Sequence, residues 1–439
     1  MRLAFMFAAA FAVALQASAQ EAAHRVIITF KSGTPAAERQ QVLTKLGATS
    51  VADIVSNGKS DAEFVAVVAQ APQGASAGAA AFQEKAKSLM ALDASPELSD
   101  VVKIEDDYKV KWIEAAPASF QAMPFGSFQA VKFTRTASAS TAANATLALG
   151  ARSKIPWGIA RVKAPAAWDY TQGAGVRVAV IDTGIDTTHP DLDGAVDGGY
   201  NAQADCERVD CYQDDNGHGT HVAGTIAGRG AGQWGVYGVA PKARLYAVKV
   251  LGSDGSGALS DVIKGIIWCA NNDIQVANMS LGSDTPSDTM QKALRYAKAR
   301  GVVVVAAAGN SGGAVGYPGA YPETIAVAAA DWDDKVASFS SRGPQVKFIA
   351  PGVAVLSSKM GGDYWTLSGT SMATPHVTGL AALAVSEGYR GLDGPDGVLE
   401  QLKKAAKPIL GLSSDEQGFG MIDGGKLTRS ERSVAIASN

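Results

Sequence analysis

From Ile155 onward, apolar runs of strand length alternate with stretches of helical character, and this alternation constrains the fold more than any other feature of the chain. Val176–Ile181, Leu245–Val250, Ile274–Leu281, Val302–Ala308 and Thr324–Ala329 read as strands, and His218–Ala227, Ser260–Asn271, Ser287–Ala299 and Ser371–Ser386 as the helices that separate most of them. Strands apolar on both faces must be covered on both faces. Their alternation with helices then predicts an α/β architecture, a three-layer doubly wound parallel sheet. Sites in such sheets gather outside the carboxyl ends of the strands. Asp182 and Asn310 each sit where an apolar strand runs out.

The chain upstream has a different texture. Arg2, the apolar run Leu3–Leu15 and the small-x-small triplet Ala17-Ser18-Ala19 read as an export leader over residues 1–19. The run falls short of the roughly 18–20 apolar residues a spanning helix needs, so no membrane span is expected once the leader is removed. Residues 20–114 suggest a small α+β domain: strands at Val26–Phe30 and Glu63–Ala69, helices at Pro35–Leu46 (with Gly47 as its stop) and Ala79–Leu92, and a last strand or strand pair at Val101–Trp112. Residues 115–154, rich in Ala, Ser, Thr, Phe and Gln, read as a linker into a large domain over 155–439. With 439 residues, 47% hydrophobic and 18% charged, the chain is globular and long enough for a large core. A net charge of −3 argues against a nucleic-acid partner, which calls for a basic patch. There are three cysteines. Cys206 and Cys211 are near enough to pair, leaving Cys269 as the odd thiol, although Cys269 could pair with either.

Three segments carry chemistry: Val178-Ala179-Val180-Ile181-Asp182-Thr183-Gly184, Gly217-His218-Gly219-Thr220-His221 and Gly369-Thr370-Ser371-Met372-Ala373-Thr374-Pro375. They bring an acid, a base and a hydroxyl, in that order. A serine hydroxyl needs a base to take its proton, and an imidazole near neutral pKa can take it and pass it on. A carboxylate can fix the imidazole tautomer. Ser371 begins a predicted helix, whose free N–H groups suit a developing oxyanion. Asn310, after Val-Val-Val-Val-Ala-Ala-Ala-Gly, can donate its side-chain amide to the same oxyanion. Taken singly, Asp182, Ser371 and Asn310 read as well as caps or turn residues, and a lone histidine such as His218 is more often structural than catalytic.

Together the three segments resemble the subtilase family of serine peptidases, over roughly Ile155–Leu427. The resemblance implies a subtilisin-like fold and an Asp182-His218-Ser371 triad, with His218 as general base and His221 in support. It implies an oxyanion site at Asn310, with Thr370 as auxiliary. Gly255-Ser256-Gly257 and Ser280-Leu281-Gly282 match segments that pair with an extended peptide, Gly316 the floor of the P1 pocket, and Leu259 the P4 pocket or a core position. A glycine at the P1 floor leaves room for a large apolar side chain. The resemblance also implies that residues 20–114 are an inhibitory propeptide that chaperones folding and blocks the cleft until cut off within or near the start of the linker. The product would be a secreted enzyme, extracellular or periplasmic, acting on proteins or peptides. Asp191 matches a ligand of the family's strong calcium site, although the loop Arg229–Val236 is one residue longer than the family pattern and offers only Gln233 as an amide. Asp210, Asp214 and Asp215 form a second acidic cluster, which reads either as a ligand group or as solvated surface.

The competing readings are poorer. Asp-Thr-Gly also marks aspartic peptidases, but they need two copies and a mainly β fold. His218 and His221 lack the His-Glu-x-x-His pattern of zinc peptidases, and no glycine fingerprint for nucleotides follows the first strand. A pseudo-peptidase that keeps the fold for binding remains open, although no triad residue is missing.

Overall fold

The computed structural model describes residues 24–54, 64–70, 78–91, 96–114, 155–231 and 235–427. The predicted leader and the whole linker lie outside them. The chain divides into two compact units, with the boundary after Tyr108 rather than at the end of the expected small domain at residue 114.

The smaller unit is a four-stranded antiparallel sheet in the order β2-β3-β1-β4, with β1 at Arg25–Lys31, β2 at Thr49–Asp53, β3 at Phe64–Gln70 and β4 at Val101–Asp106. Alternate residues of β1 (Val26, Ile28 and Phe30) meet Val42, Leu43 and Leu46 of helix α1 (Ala36–Leu46) and Phe82 and Ala86 of α2 (Ala79–Ala91) in one core. Helix α1 stops where expected: Gly47 turns left-handed at φ 74° and its N–H caps Leu43 O and Thr44 O.

The larger unit begins with the short strand β5 (Lys109–Lys111) and is organised around a seven-stranded parallel sheet in the order β13-β12-β11-β10-β6-β8-β7. Its strands are β6 (Arg177–Asp182), β7 (Val196–Asn201), β8 (Arg244–Lys249), β10 (Val276–Met279), β11 (Val303–Ala307), β12 (Thr324–Ala330) and β13 (Val346–Pro351); β9 (Ser256–Ala258) lies apart from the sheet and pairs with β5. Helices α3 (His218–Ala227) and α6 (Thr370–Ser386) pack together on the face that carries Val178, Val180, Val303 and Val305. Helix α4 (Leu259–Asn271) covers the opposite face, where its Gly265 sits against Val248 and Ile181, and packs against α5 (Asp288–Ala299). Burying both faces of such strands at about 25 cal/mol per Å² is the main term holding the domain together. An antiparallel hairpin, β14 (Val355–Lys359) and β15 (Asp363–Leu367), leads into α6.

The sheet order positions the site. From β6 the chain crosses to the edge strand β7 and returns to β8 beside β6, then passes to β10 on the other side of β6 and builds outward through β13. The carboxyl ends of β6, β10 and β11 therefore meet at the switch point, where ligands bind in open α/β sheets.

Candidate active site

Asp182 is the last residue of β6 and is fully buried. His218 is the first residue of α3, and its Nδ1 lies 2.8 Å from Asp182 Oδ1 and 2.9 Å from Oδ2. The helix comes this close because residue 219 is glycine, since any Cβ there would run into Gly184 O. Asp182 Oδ1 also accepts Thr183 N at 2.7 Å, which fixes the carboxylate plane. Burial alone would depress the His218 pKa; the charges of Asp182 and Asp214 and the Asp182 hydrogen bond outweigh it, and the imidazole is held above 6.5.

A second, unexpected acid stands behind this pair. Among Asp210, Asp214 and Asp215, which the sequence does not separate, Asp214 is buried. One of its oxygens accepts Thr183 Oγ1 (2.8 Å), Asn216 N (3.0 Å) and Gly217 N (2.9 Å); the other accepts Thr220 N (2.9 Å) and Thr220 Oγ1 (2.6 Å). It thus joins the Asp182 turn to the start of α3. Asp215 pairs instead with buried Lys249, whose ammonium also donates to Thr183 O and Leu251 O. Asp210 pairs with Arg208 at the surface. His221 is no general base: its Nε2 lies 3.1 Å from Val355 O and from Trp365 O, and burial, reinforced by His218, depresses its pKa to about 3.

Ser371 is the second residue of α6, after Thr370 and the N-cap Gly369. Its hydroxyl donates to Ser280 O at 3.1 Å, while His218 Nε2 is buried with no partner among the described residues. Ser280 Oγ in turn donates to Ser371 O at 2.8 Å, so the segment after β10 clasps the start of α6. Asn310 stands opposite. Its Oδ1 accepts both Thr370 N and Thr370 Oγ1 at 2.9 Å, which orients the amide so that Nδ2 faces the cleft. Thr370 therefore aims Asn310.

What Nδ2 meets in the cleft is Glu114 O, at 2.9 Å. The segment 109–114 runs into this cleft as an added strand: Lys109, Val110 and Lys111 pair antiparallel with Ala258, Gly257 and Ser256. Trp112 is gripped from both sides, its N donating to Gly255 O (3.1 Å), its Nε1 to Gly257 O (2.8 Å), and its O accepting Gly282 N (2.9 Å). Gly257 permits this edge, because a Cβ there would meet Val250 O at 2.5 Å. Leu281, Gly282, Ala307, Gly316 and Ser341 line the pocket beside Glu114, whose own side chain is exposed. Leu259, the first residue of α4, is fully buried.

Cys206 and Cys211 form a disulfide with Cα atoms 6.1 Å apart. Cys269 is a buried free thiol whose pKa burial pushes up, so it is not a nucleophile. Gln233, the amide expected to help complete a calcium site with Asp191, lies outside the described residues. Val236 N donates to the Asp191 carboxylate at 2.8 Å, the Tyr364 hydroxyl donates to it as well, and Arg229 reaches Asp193 O next to it. No trio of His, Cys, Asp or Glu able to hold a metal occurs among the described residues. No helix among them is long and apolar enough to cross a membrane.

A sequence profile of the subtilase family matches residues 173–420, more than half of the chain. M-protease of Shouchella clausii (strain KSM-K16) is 53% identical over 231 residues, covering 52% of this chain and 59% of the relative. Subtilisin Savinase of Lederbergia lenta is 53% identical over 231 residues, covering 52% and 83%. Subtilisin E of Bacillus subtilis (strain 168) is 50% identical over 240 residues, covering 53% and 61%. The matched stretch thus spans about three fifths of the first and third relatives.

Proposed function

Because this chain belongs to the subtilase family, we propose that it is a serine endopeptidase, exported and made as a self-processing zymogen. The observation that carries this reading is one constellation: His218 bound to both oxygens of Asp182, with Asn310 Nδ2 on a peptide carbonyl beside Ser371.

The chemistry follows from the residues. Ser371 Oγ turns from Ser280 O toward the free His218 Nε2, gives up its proton there, and bonds to the scissile carbonyl carbon. The resulting oxyanion is held by Asn310 Nδ2 and the Ser371 N–H at the start of α6. The C–N bond breaks as His218 returns the proton to the leaving amine, leaving an acyl-enzyme. Water, deprotonated by the same imidazole, releases the acid and restores the serine. Asp182 fixes the tautomer and stabilises the imidazolium. No step uses a metal.

The first substrate is the chain itself. Glu114 O on Asn310 and the added strand at Lys109–Lys111 support Glu114–Ala115 as the bond cut during maturation, with residues 20–114 as inhibitor and folding aid. For substrates in trans, backbone pairing to Gly255–Gly257 and Gly282 gives breadth, and the pocket over Gly316 takes a large apolar P1 side chain. The test is mass spectrometry of purified protein with a fluorophosphonate probe. The wild type should give a first new N-terminus at Ala115 and label on Ser371. Ser371→Ala should stay full length and unlabelled, and a Ser371→Ala variant that still matures alone would end this reading.

A further inference from the structure

The β14–β15 hairpin is fastened through its backbone. His221 Nε2 reaches Val355 O and Trp365 O at 3.1 Å, Gly361 N donates to Asp186 Oδ2 at 2.8 Å, and His189 Nε2 lies 2.9 Å from Asp363 O. These anchors fix the hairpin against α3 and the turn after β6. Two large apolar side chains near its tip nevertheless face solvent: Met360 is 38% and Trp365 43% exposed. Single exposed apolar residues are ordinary, but an adjoining pair on a fixed support beside a cleft is a recognition feature.

Their neighbour is the reacting centre. A Cβ built on Gly217, the residue before His218, would lie 3.7 Å from Trp365 Cζ3 and 3.8 Å from Met360 Cβ. Strand β15 continues through Ser368 and Gly369 directly into Thr370 and Ser371. The pair is therefore continuous with the cleft, flanking His218 and Ser371 on the side of the hairpin. The other side is already occupied: Trp112 lies between Gly255 and Gly282, Ile113 lies against Gly255, and Glu114 O is at Asn310. A bound chain that continues past the Glu114 carbonyl has to leave past His218 and Ser371.

We propose that Met360 and Trp365 form an apolar subsite on the leaving-group side, binding a large apolar or aromatic side chain within the first two residues after the cut. This rests on the peptidase reading above and adds a specificity element to it. An indole face with a flexible thioether beside it suits an aromatic ring, and Lys359 Nζ, 5.9 Å from the Trp365 ring centre, caps the rim with a cation.

Internally quenched peptides that differ only at those two positions test the proposal, with active enzyme counted by fluorophosphonate titration. The wild type should favour Phe over Gly at one of the positions by about tenfold in kcat/KM, the size of a single apolar contact. Trp365→Ala should remove most of that ratio, Met360→Ser part of it, and Trp365→Phe should keep it. A ratio unchanged in Trp365→Ala, or a change confined to residues before the cut, overturns the subsite. Should Trp365→Ala fail to mature, Trp365→Leu and Met360→Ser decide by the same ratio. Labelled, active enzyme with no such preference removes the subsite alone, whereas absence of label and of any cleavage removes the peptidase reading with it.

Discussion

The acid–base half of the site and its nucleophile half are built on opposite plans. Around Asp182 and His218 the polar groups are held many times over. Asp214 accepts five hydrogen bonds, Lys249 donates three, and Asp182 holds both His218 and the Thr183 amide. Around Ser371 the bonds are few and exchangeable: its hydroxyl has one carbonyl partner at 3.1 Å, His218 Nε2 has none among the described residues, and Asn310 Nδ2 rests on a peptide carbonyl. Groups that must stay still are oversatisfied, whereas groups that must change partners during a turnover are left with little to give up. The two halves join at Thr370, whose tight grip on Asn310 belongs to the first plan and whose neighbour Ser371 belongs to the second.

Substitutions on the exchangeable side give the largest effects. Ser371→Ala should lower kcat on a peptide substrate by about a millionfold, the loss known for a missing serine nucleophile in subtilisin. A small loss would mean the hydroxyl is not the attacking group. Asn310→Leu should cost about 100- to 1,000-fold in kcat with KM little changed, the range known for the corresponding donor in subtilisin. An effect mainly on KM would instead make Asn310 a binding residue. Thr370→Val, which removes one of the two bonds aiming Asn310, should cost about tenfold in kcat, and in an Asn310→Leu background it should cost almost nothing. Full additivity would separate Thr370 from the oxyanion.

The smallest effect sharpens the oversatisfied side. Rate depends on neutral His218, whose pKa is held above 6.5, so the acid limb of kcat/KM should lie above that value. The Asp214 charge is one cause of the elevation. Asp214→Asn removes the charge and lowers the His218 pKa, so the imidazole stays neutral into more acid solution and the limb should move down. A limb that stays in place or moves up would show that Asp214 acts only by holding the backbone.

The sheet and the motif residues were legible because they depend on local pattern. The apolar runs ending at Asp182 and before Asn310 mark β6 and β11 to within a residue or two, and the helices beginning near His218 and Ser371 fall where the sequence suggests. Elements lacking an apolar run were missed. Strand β7 reads Val-Asp-Gly-Gly-Tyr-Asn and forms only because it pairs with β8 at the sheet edge. The range Val101–Trp112, expected as a strand or a strand pair, holds two strands, but β5 pairs with β9 far along the chain, a partner no local pattern marks. Asp214 could not be told from Asp210 and Asp215, because burial distinguishes them and burial is a property of the folded loop. No local pattern marks Lys249, although Thr183, Asp215 and Leu251 close around it in the folded loop.

The carbonyl clamp at His221 makes the hairpin beside the cleft sensitive to acid. Buried against α3 and depressed to about 3, this imidazole refuses a proton that the unfolded chain accepts near 6.5. Its contribution to stability is therefore complete above pH 6.5 and drains away as the solution is acidified toward 3, by about 1.4 kcal/mol per unit. A vinegar-like medium should thus melt this molecule earlier than a neutral one, and His221→Gln, which cannot titrate, should flatten that slope in a series of thermal scans.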